Sequence, residues 1–214
     1  MRSSRIRALL VVGVLALAAC DLGPPAMGEA RVSLAAAPSA SLNAGDGGAI
    51  GTQSVPIALA MIDSLFVDVY AVEANRGDGD AGWQTIELLD VPQQRINLVA
   101  LPYDGSGSLE LALGELEVGS YDHIRLRFDE TTIKIYLNQD VTLGDGTVLT
   151  AGGHGLRVPS GTQNGLKIHT ARFEVTEDAT ATIQLIFDGP VSLGNLHTTG
   201  TGAVMMSPVL RSRE

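Results

Sequence analysis

Side chains that could carry out nucleophilic or acid–base catalysis are present, but they do not form a recognisable catalytic pattern. Ser160 stands between Pro159 and Gly161 rather than in the Gly-x-Ser-x-Gly turn that exposes a nucleophilic serine. The four histidines are far apart: His123, His154, His169 and His197. Adjacent carboxylates occur where strands are predicted to end, at Asp129-Glu130 and Glu177-Asp178. The sequence therefore predicts no catalytic residues and favours a protein that is not an enzyme.

Metal-binding spacings are also lacking. No Cys and His spacing suits zinc, and the chain has a single cysteine, so an internal disulfide is excluded. Asp78-Gly79-Asp80 could supply oxygen ligands for calcium, but an EF-hand loop also needs ligands where Gly82 and Leu89 stand. We predict no metal and no cofactor, and calcium binding by this loop stays an open alternative.

Charge excludes one class of partner. The formal charge is −10 over 214 residues, and the chain has only two lysines, Lys134 and Lys167. Phosphate contacts need clustered Lys and Arg, so nucleic-acid binding is not expected. Trp83 and Tyr103 are the aromatic residues nearest to predicted loops. An aromatic platform beside polar groups would suit a glycan, so a protein or a glycan ligand remains open.

The N-terminal sequence has the pattern of a signal peptide for export. Arg2, Arg5 and Arg7 precede residues 8–19, an uncharged run too short to span a bilayer. The run ends in Leu17-Ala18-Ala19-Cys20, which resembles the bacterial lipobox. That resemblance implies a lipoprotein signal peptide over residues 1–20, with cleavage before Cys20 and lipidation of Cys20. The implied location is the cell envelope, with the outer membrane favoured and Asp21 leaving inner-membrane retention open.

A flexible tether is predicted over residues 21–54. This stretch is rich in Ala, Gly, Pro and Ser and shows no clear apolar period. A short helix over residues 30–37 is the alternative. Removing residues 1–20 leaves 11 Lys and Arg against 24 Asp and Glu, a formal charge of −13. An acidic body is repelled by anionic lipid, so we expect the domain to stand away from the membrane.

From residue 55 to residue 214 the pattern changes to period two. Runs of alternating apolar and polar residues cover 65–72, 123–129, 132–137 and 180–187. In the first run the apolar set is Leu65, Val67, Val69 and Ala71, opposite Phe66, Asp68, Tyr70 and Val72. Gly- and Asp-rich turns separate the runs, and Gly144-Asp145-Gly146 predicts a hairpin. The alternative of a helical turn over residues 110–116 is weakened by Gly114.

This pattern predicts an all-β fold: one antiparallel two-sheet sandwich of about seven to nine strands. Gly119-Ser120-Tyr121 before an alternating strand resembles the strand entry of transthyretin-like sandwiches; an Ig-like arrangement is the related possibility. Gly119 would make the turn. Tyr121 would bury its ring and keep its hydroxyl in water.

Several motifs follow one another along the body of the chain, at residues 66–72, Trp83, 96–101, 118–126, 158–167, 185–188 and 208–211. Together and in this order they resemble a family of bacterial lipoproteins known as domain-of-unknown-function family 4382. The most specific is Val158-Pro159-Ser160-Gly161-Thr162-Gln163-Asn164-Gly165-Leu166-Lys167. The resemblance implies a lipid-anchored envelope sandwich and implies no activity.

The same segment has a structural interpretation. Pro159-Ser160-Gly161 favours a turn, and the Gln163 amide can bind loop backbone groups. Gly165 would then lead into a strand that carries Lys167. The sequence as a whole favours a non-catalytic binding, adhesion or structural module held on a membrane through Cys20. The alternative is a subunit or accessory protein of an envelope assembly that uses edge-strand contacts.

Overall fold

The computed structural model describes residues 24–38, 57–77, 82–159 and 165–213. The strands are β1 (Met27–Ala36), β2 (Ile62–Asn75), β3 (Gln84–Ile86), β4 (Gln94–Asn97), β5 (Leu109–Glu117), β6 (Gly119–Phe128), β7 (Lys134–Leu137), β8 (Val141–Thr142), β9 (Val148–Leu149), β10 (Gly152–Arg157), β11 (Leu166–Val175), β12 (Thr180–Phe187), β13 (His197–Thr198), β14 (Val204–Met205) and β15 (Leu210–Arg213). A short helix, α1, spans Gly189–Gly194. Within these described ranges, no helix is long and apolar enough to cross a membrane.

Two sheets form the body of the molecule. The smaller sheet has the order β15-β12-β1-β5. The larger has nine strands, in the order β11-β6-β2-β7-β10-β14-β13, with β3 and β4 also paired to β2. A separate hairpin joins β8 and β9. The all-β two-sheet sandwich predicted from the sequence is confirmed, although more and shorter strands build it than expected.

The core lies between the two sheets. Leu34, Leu185 and Phe187 enter it from the smaller sheet, and each is at most 1% exposed. Leu65 and Ile135 enter it from the larger sheet and are fully buried. Burial of such side chains contributes about 1.5–3 kcal/mol each, so the alternation of the strands supplies the main favourable term of folding.

The prediction of a flexible tether does not hold for residues 27–36. They form β1, which lies in the middle of the smaller sheet, parallel to β12 and antiparallel to β5. Gly28, Ala30, Val32 and Leu34 are buried, while Glu29 and Arg31 are not. Because the inward residues include Gly and Ala, the alternation is hard to see as an apolar period. The alternative of a helix over residues 30–37 is also wrong, because residues 30–36 belong to strand β1.

Small inward residues are required in β1 by its close neighbours. A Cβ added at Gly28 would lie 2.2 Å from the carbonyl oxygen of Thr176. The low hydrophobicity of this segment therefore reflects tight packing, not a lack of structure. The other tether residues, 21–23 and 39–54, lie outside the described residues.

Three further predictions can be compared with the structure. The sheets are not wholly antiparallel, because β1 runs parallel to β12 and β10 runs parallel to β14. The alternative helical turn over residues 110–116 is wrong, since this stretch belongs to β5. The hairpin at Gly144-Asp145-Gly146 is confirmed: it joins β8 to β9, and Gly146 has a φ of 84°.

Candidate functional site: a basic face on the larger sheet

The outer surface of the larger sheet carries a concentration of cationic side chains. In β6, Ile124, Leu126 and Phe128 face the core, so Arg125 and Arg127 point outward. The same argument applies to neighbouring strands, because residues paired across a ladder share a face. The outward cations, which we call the basic face, are Arg95, Arg125, Arg127, Lys134, Arg157 and Lys167. They make up six of the 11 Lys and Arg outside residues 1–20, although the protein as a whole is acidic.

The carboxylates that pair with arginines of the basic face are buried. Asp68 is 2% exposed and Glu73 is 8% exposed, and both belong to β2. Other carboxylates lie at the margins of the surface: Asp63 near the start of β2 and Glu174 near the end of β11 are exposed. Asp122, 31% exposed, lies 2.6 Å from His123 Nδ1. The exposed charge at the centre of this surface is therefore positive.

Glu73 holds two arginines on the surface. The Nε of Arg125 donates a hydrogen bond of 2.5 Å to Glu73 Oε2. The Nη1 of Arg127 lies 3.7 Å from Glu73 Oε1. A carboxylate between two guanidinium groups leaves net positive charge and fixes the position of both cations.

Trp83 covers this ion pair. The Arg125 Cζ lies 4.1 Å from the centre of the Trp83 ring, and the Lys167 Nζ lies 5.8 Å from it. The His123 ring meets Trp83 edge-on at 6.5 Å. Cations over an indole ring are attracted by its electron-rich face, so Trp83 shields Arg125 from water and orients it.

A second arrangement of the same kind lies further along β2. The Nε and Nη2 of Arg95 donate to the two carboxylate oxygens of Asp68, at 3.0 and 3.3 Å. The Arg95 Cζ lies 5.5 Å from the centre of the Phe66 ring. The Phe66 ring in turn contacts Tyr136 edge-on at 6.2 Å. The basic face therefore contains two units in which a buried carboxylate and an aromatic ring hold an arginine.

A β-bulge places both carboxylates on one side of the sheet. Asp68 and Glu73 are five positions apart, and an odd spacing puts two residues of a regular strand on opposite faces. The register of β2 against β6 shifts between Val69 and Ala71. The shift moves Val72 into the core, where it is fully buried, and turns Glu73 outward. The sequence-based assignment of Ala71 to the core and Val72 to the polar side is therefore wrong.

Part of the Val-Pro-Ser-Gly motif belongs to the basic face. Gly165 has a φ of +65°, and an added Cβ would lie 2.8 Å from both Arg125 Cγ and Leu126 O. Glycine thus lets the chain pass over the stem of Arg125. Lys167 is exposed and pairs across the ladder with Arg125. Pro159 lies in an exposed turn, and Ser160, Gly161 and Gln163 lie outside the described residues.

Gly119 and Tyr121 lie where the chain steps from the smaller to the larger sheet. Gly119 begins β6 with a φ of 153°, immediately after β5 and one intervening residue. The Tyr121 ring is fully buried and stacks on Phe173 at 5.4 Å. Its hydroxyl lies 2.7 Å from the carbonyl oxygen of Glu117 and 3.1 Å from Gln84 Oε1. The ring position is confirmed, but the prediction of a hydroxyl in water is wrong, because these groups enclose it.

Other predicted residues do not join the basic face. Tyr103 is 51% exposed and bridges to Ala36 of the smaller sheet, so it is not brought together with Trp83. Cys20, with Leu17, Ala18 and Ala19, lies outside the described residues, as does Asp78-Gly79-Asp80. In the part of the chain that the structure describes, no three His, Cys, Asp or Glu side chains form a potential metal site.

Sequence reasoning missed the basic face as a unit. His123, Arg125 and Arg127 all lie in one predicted run, residues 123–129, whereas Arg95, Lys134 and Arg157 belong to other strands. The available signal was the charge of the outward residues in each alternating run. Only the order of the strands in the sheet shows that these charges lie side by side on one surface. Exposed guanidinium and ammonium groups at this density can bind phosphate or carboxylate oxygens.

A family model described as "Domain of unknown function (DUF4382)" matches residues 54–208, well over half of the chain. No curated protein matches the chain, and no solved structure matches it. The matched residues contain every strand of the basic face, whereas β1 and β15 lie outside them.

Proposed function

We propose that this chain, which belongs to the DUF4382 domain family, is a lipid-anchored protein of the bacterial cell envelope that acts as a non-catalytic binding module. The anchor is supported by the order of Arg2, Arg5 and Arg7, an uncharged run and Leu17-Ala18-Ala19-Cys20. The outer membrane is the favoured location, and Asp21 keeps inner-membrane retention as the alternative.

The observation that carries the binding role is the basic face. Asp68 and Glu73 hold Arg95 and Arg125 in fixed positions, and Trp83 stacks on the second of them. Such prior positioning lowers the entropy that a surface loses when it binds a ligand. A sheet that only needed to be soluble would gain nothing from grouping most of the cations of an acidic chain on one side.

Mass spectrometry of the N-terminal peptide tests the anchor. In bacteria that express the full chain, we expect a mature N-terminus at Cys20 that carries acyl mass. Cys20→Ala is expected to abolish cleavage at this site and the acyl mass. A mature peptide with an unmodified Cys20 would contradict the anchor.

Sedimentation with isolated cell envelopes tests the binding role. The chain is produced from Asp21 onward, which keeps every described residue and omits the anchor. Its basic-face variant carries Lys134→Gln, Arg157→Gln and Lys167→Gln. The matched control carries Arg31→Gln, Arg211→Gln and Arg213→Gln, which remove equal charge from the smaller sheet. We expect the basic-face variant alone to lose envelope binding, and equal loss in both would contradict a role for the face.

An edge-strand contact is the second candidate function. Among the described residues, β15 pairs with residues 184–187 of β12 and leaves residues 180–183 without a strand on that side. The Asp188 amide donates to Val209 on the β15 side, so alternation directs the Thr182 amide to the same side. An added strand could bind there. Thr182→Pro removes the amide donor and should abolish any self-association seen by analytical ultracentrifugation; an unchanged oligomeric state would argue against this edge.

A further inference from the structure

We infer that the basic face is a docking surface for an anionic phospholipid bilayer. The inference rests on the proposed function, because lipidated Cys20 would hold the domain beside such a surface. It differs from what net charge suggests, since the mature chain has a formal charge of −13. The difference lies in how the charges are placed.

Four of the six cations are exposed, whereas the carboxylates that pair with Arg95 and Arg125 are buried. Arg95 keeps 60% of its side chain exposed, while its partner Asp68 keeps 3%. Lys134, Arg157 and Lys167 are also exposed. A lipid surface that approaches this side of the sheet meets ammonium and guanidinium groups first.

Carboxylates on the far side act only weakly at that surface. Glu29, Glu110 and Glu115 belong to strands of the smaller sheet and are exposed. Packed sheets are about 10 Å apart, and the Debye length at physiological salt is about 8 Å. The repulsion from the far sheet is therefore screened, and attraction to the near cations dominates.

Aromatic side chains of the same surface suit a bilayer interface. Tyr136 is 38% exposed and packs its ring against Phe66 within the basic face. Tyr70, in the bulge of β2, is also 38% exposed. Tyr and Trp rings favour the headgroup region, since one end is apolar and the other forms hydrogen bonds. Two partly exposed tyrosines beside the cations therefore suit the headgroup region of an anionic bilayer.

The length of chain between Cys20 and the fold keeps the domain close to the headgroups. Ala26 is already fixed, because its carbonyl oxygen accepts a 2.8 Å hydrogen bond from the Val118 amide. The residues between Cys20 and Ala26 can span at most about 20 Å when extended. The predicted tether of residues 21–54 would have allowed a greater distance. With β1 inside the sandwich, the anchor maintains a high local concentration of lipid at the domain.

Vesicle sedimentation tests the inference without the anchor. The chain from Asp21 onward is mixed with vesicles of equal parts phosphatidylglycerol and phosphatidylcholine, or of phosphatidylcholine alone. We expect binding to the anionic vesicles only. The binding should weaken strongly when ionic strength rises from about 0.1 M to about 1 M, where the Debye length falls to about 3 Å.

The charge variants identify the surface. Each cation near an anionic bilayer contributes about fivefold to the binding constant, so the triple basic-face variant should bind roughly a hundredfold more weakly. The control triple variant of the smaller sheet should bind like the unmodified chain. Circular dichroism checks that both variants fold. Lys134→Gln with Arg157→Gln, at two exposed positions, provides a second variant with an expected loss of about 25-fold.

Three results would overturn the inference. The first is equal binding of the chain to both kinds of vesicle. The second is an equal loss of vesicle binding in the two triple variants. The third is a chain that binds no vesicles but still binds an acidic polysaccharide or protein through its basic face. The last result would leave envelope binding through this face intact, and the mass of the Cys20 peptide is independent of all three. Failure of the lipid inference is thus separable from failure of the proposed function.

Discussion

The guanidinium carbon of Arg125 lies 4.1 Å from the centre of the Trp83 ring. Arg125 is on β6, whereas Trp83 immediately precedes β3, and these two strands pair with opposite edges of β2. Trp83 therefore reaches across β2 and covers the ion pair of Arg125 with Glu73. The contact joins three strands and stabilises the basic face as well as forming part of it.

Replacing Trp83 should destabilise the fold. Trp83→Ala removes the ring stacked on Arg125 and opens the buried ion pair to water. We expect a loss of about 2 kcal/mol in the free energy of unfolding, measured by urea denaturation. Tyr103→Ala, at an aromatic residue that is 51% exposed, is the control, with an expected loss of about 0.5 kcal/mol or less. Equal losses would show that the Trp83 contact is of no special importance.

Neutralising Glu73 should cost more than neutralising an exposed carboxylate. The side chains of Arg125 and Glu73 are 12% and 11% exposed, so Glu73→Gln leaves a mostly buried cation without its counterion. We expect a loss of about 2 kcal/mol. Glu110→Gln breaks the exposed pair with Arg31 and should change stability by about 0.5 kcal/mol or less. Thermal unfolding of both variants checks this, and a reversed order would refute the role of Glu73.

The hydroxyl of Tyr121 should stabilise the connection between β5 and β6, where the chain passes from the smaller to the larger sheet. Tyr121→Phe leaves the carbonyl of Glu117 and the amide oxygen of Gln84 without this partner. We expect a loss of about 1–2 kcal/mol in urea denaturation. Tyr70→Phe, at a side chain that is 38% exposed, is the matched control and should change little.

Tyr121 should also make stability depend on alkaline pH. Burial raises the pKa of the Tyr121 hydroxyl above its ordinary value of 10.0. The folded state then holds the proton more tightly than the unfolded state. The resulting stability is complete below pH 10 and is lost as the pH rises from 10 through the folded pKa. Absorbance titration should show one of the four tyrosines ionising late, and its persistence in Tyr121→Phe would contradict the assignment.

Strand β1 should be required for folding although it lies outside the family match. A chain that begins at residue 54 lacks the strand that pairs with both β12 and β5. Ala30, Val32 and Leu34 would be missing from the core, where each is at most 1% exposed. We expect no cooperative thermal transition by circular dichroism. A chain that begins at Asp21 should unfold cooperatively, and identical behaviour of the two would contradict a structural role for β1.

The strands of the two sheets could be predicted from the sequence because each is amphipathic by itself. Residues 124–128 and 180–187 alternate regularly and lie in β6 and β12. In β1 the same alternation uses Gly and Ala as inward residues, so a pattern based on large apolar side chains does not detect it. The hydrophobic signal was reduced where neighbouring backbones approach most closely.

The candidate site depended on features that a linear pattern does not contain. The bulge between Val69 and Ala71 changes which face each later residue of β2 occupies. The position of a bulge depends on how the whole strand packs against its neighbours, and no residue type in this stretch predicts it. Without the bulge, Asp68 and Glu73 would lie on opposite sides, and the two arginine units could not share a surface.

The sequence by itself determined the all-β class, most of the strands, the hairpin at Gly144-Asp145-Gly146 and the family, because these depend on local alternation, turn residues and ordered motifs. Only the tertiary structure decided that residues 27–36 form a central strand and that six cations from different strands form one surface. Strand order and register bring together residues that are far apart in the chain, and those contacts are set by packing of the complete sandwich.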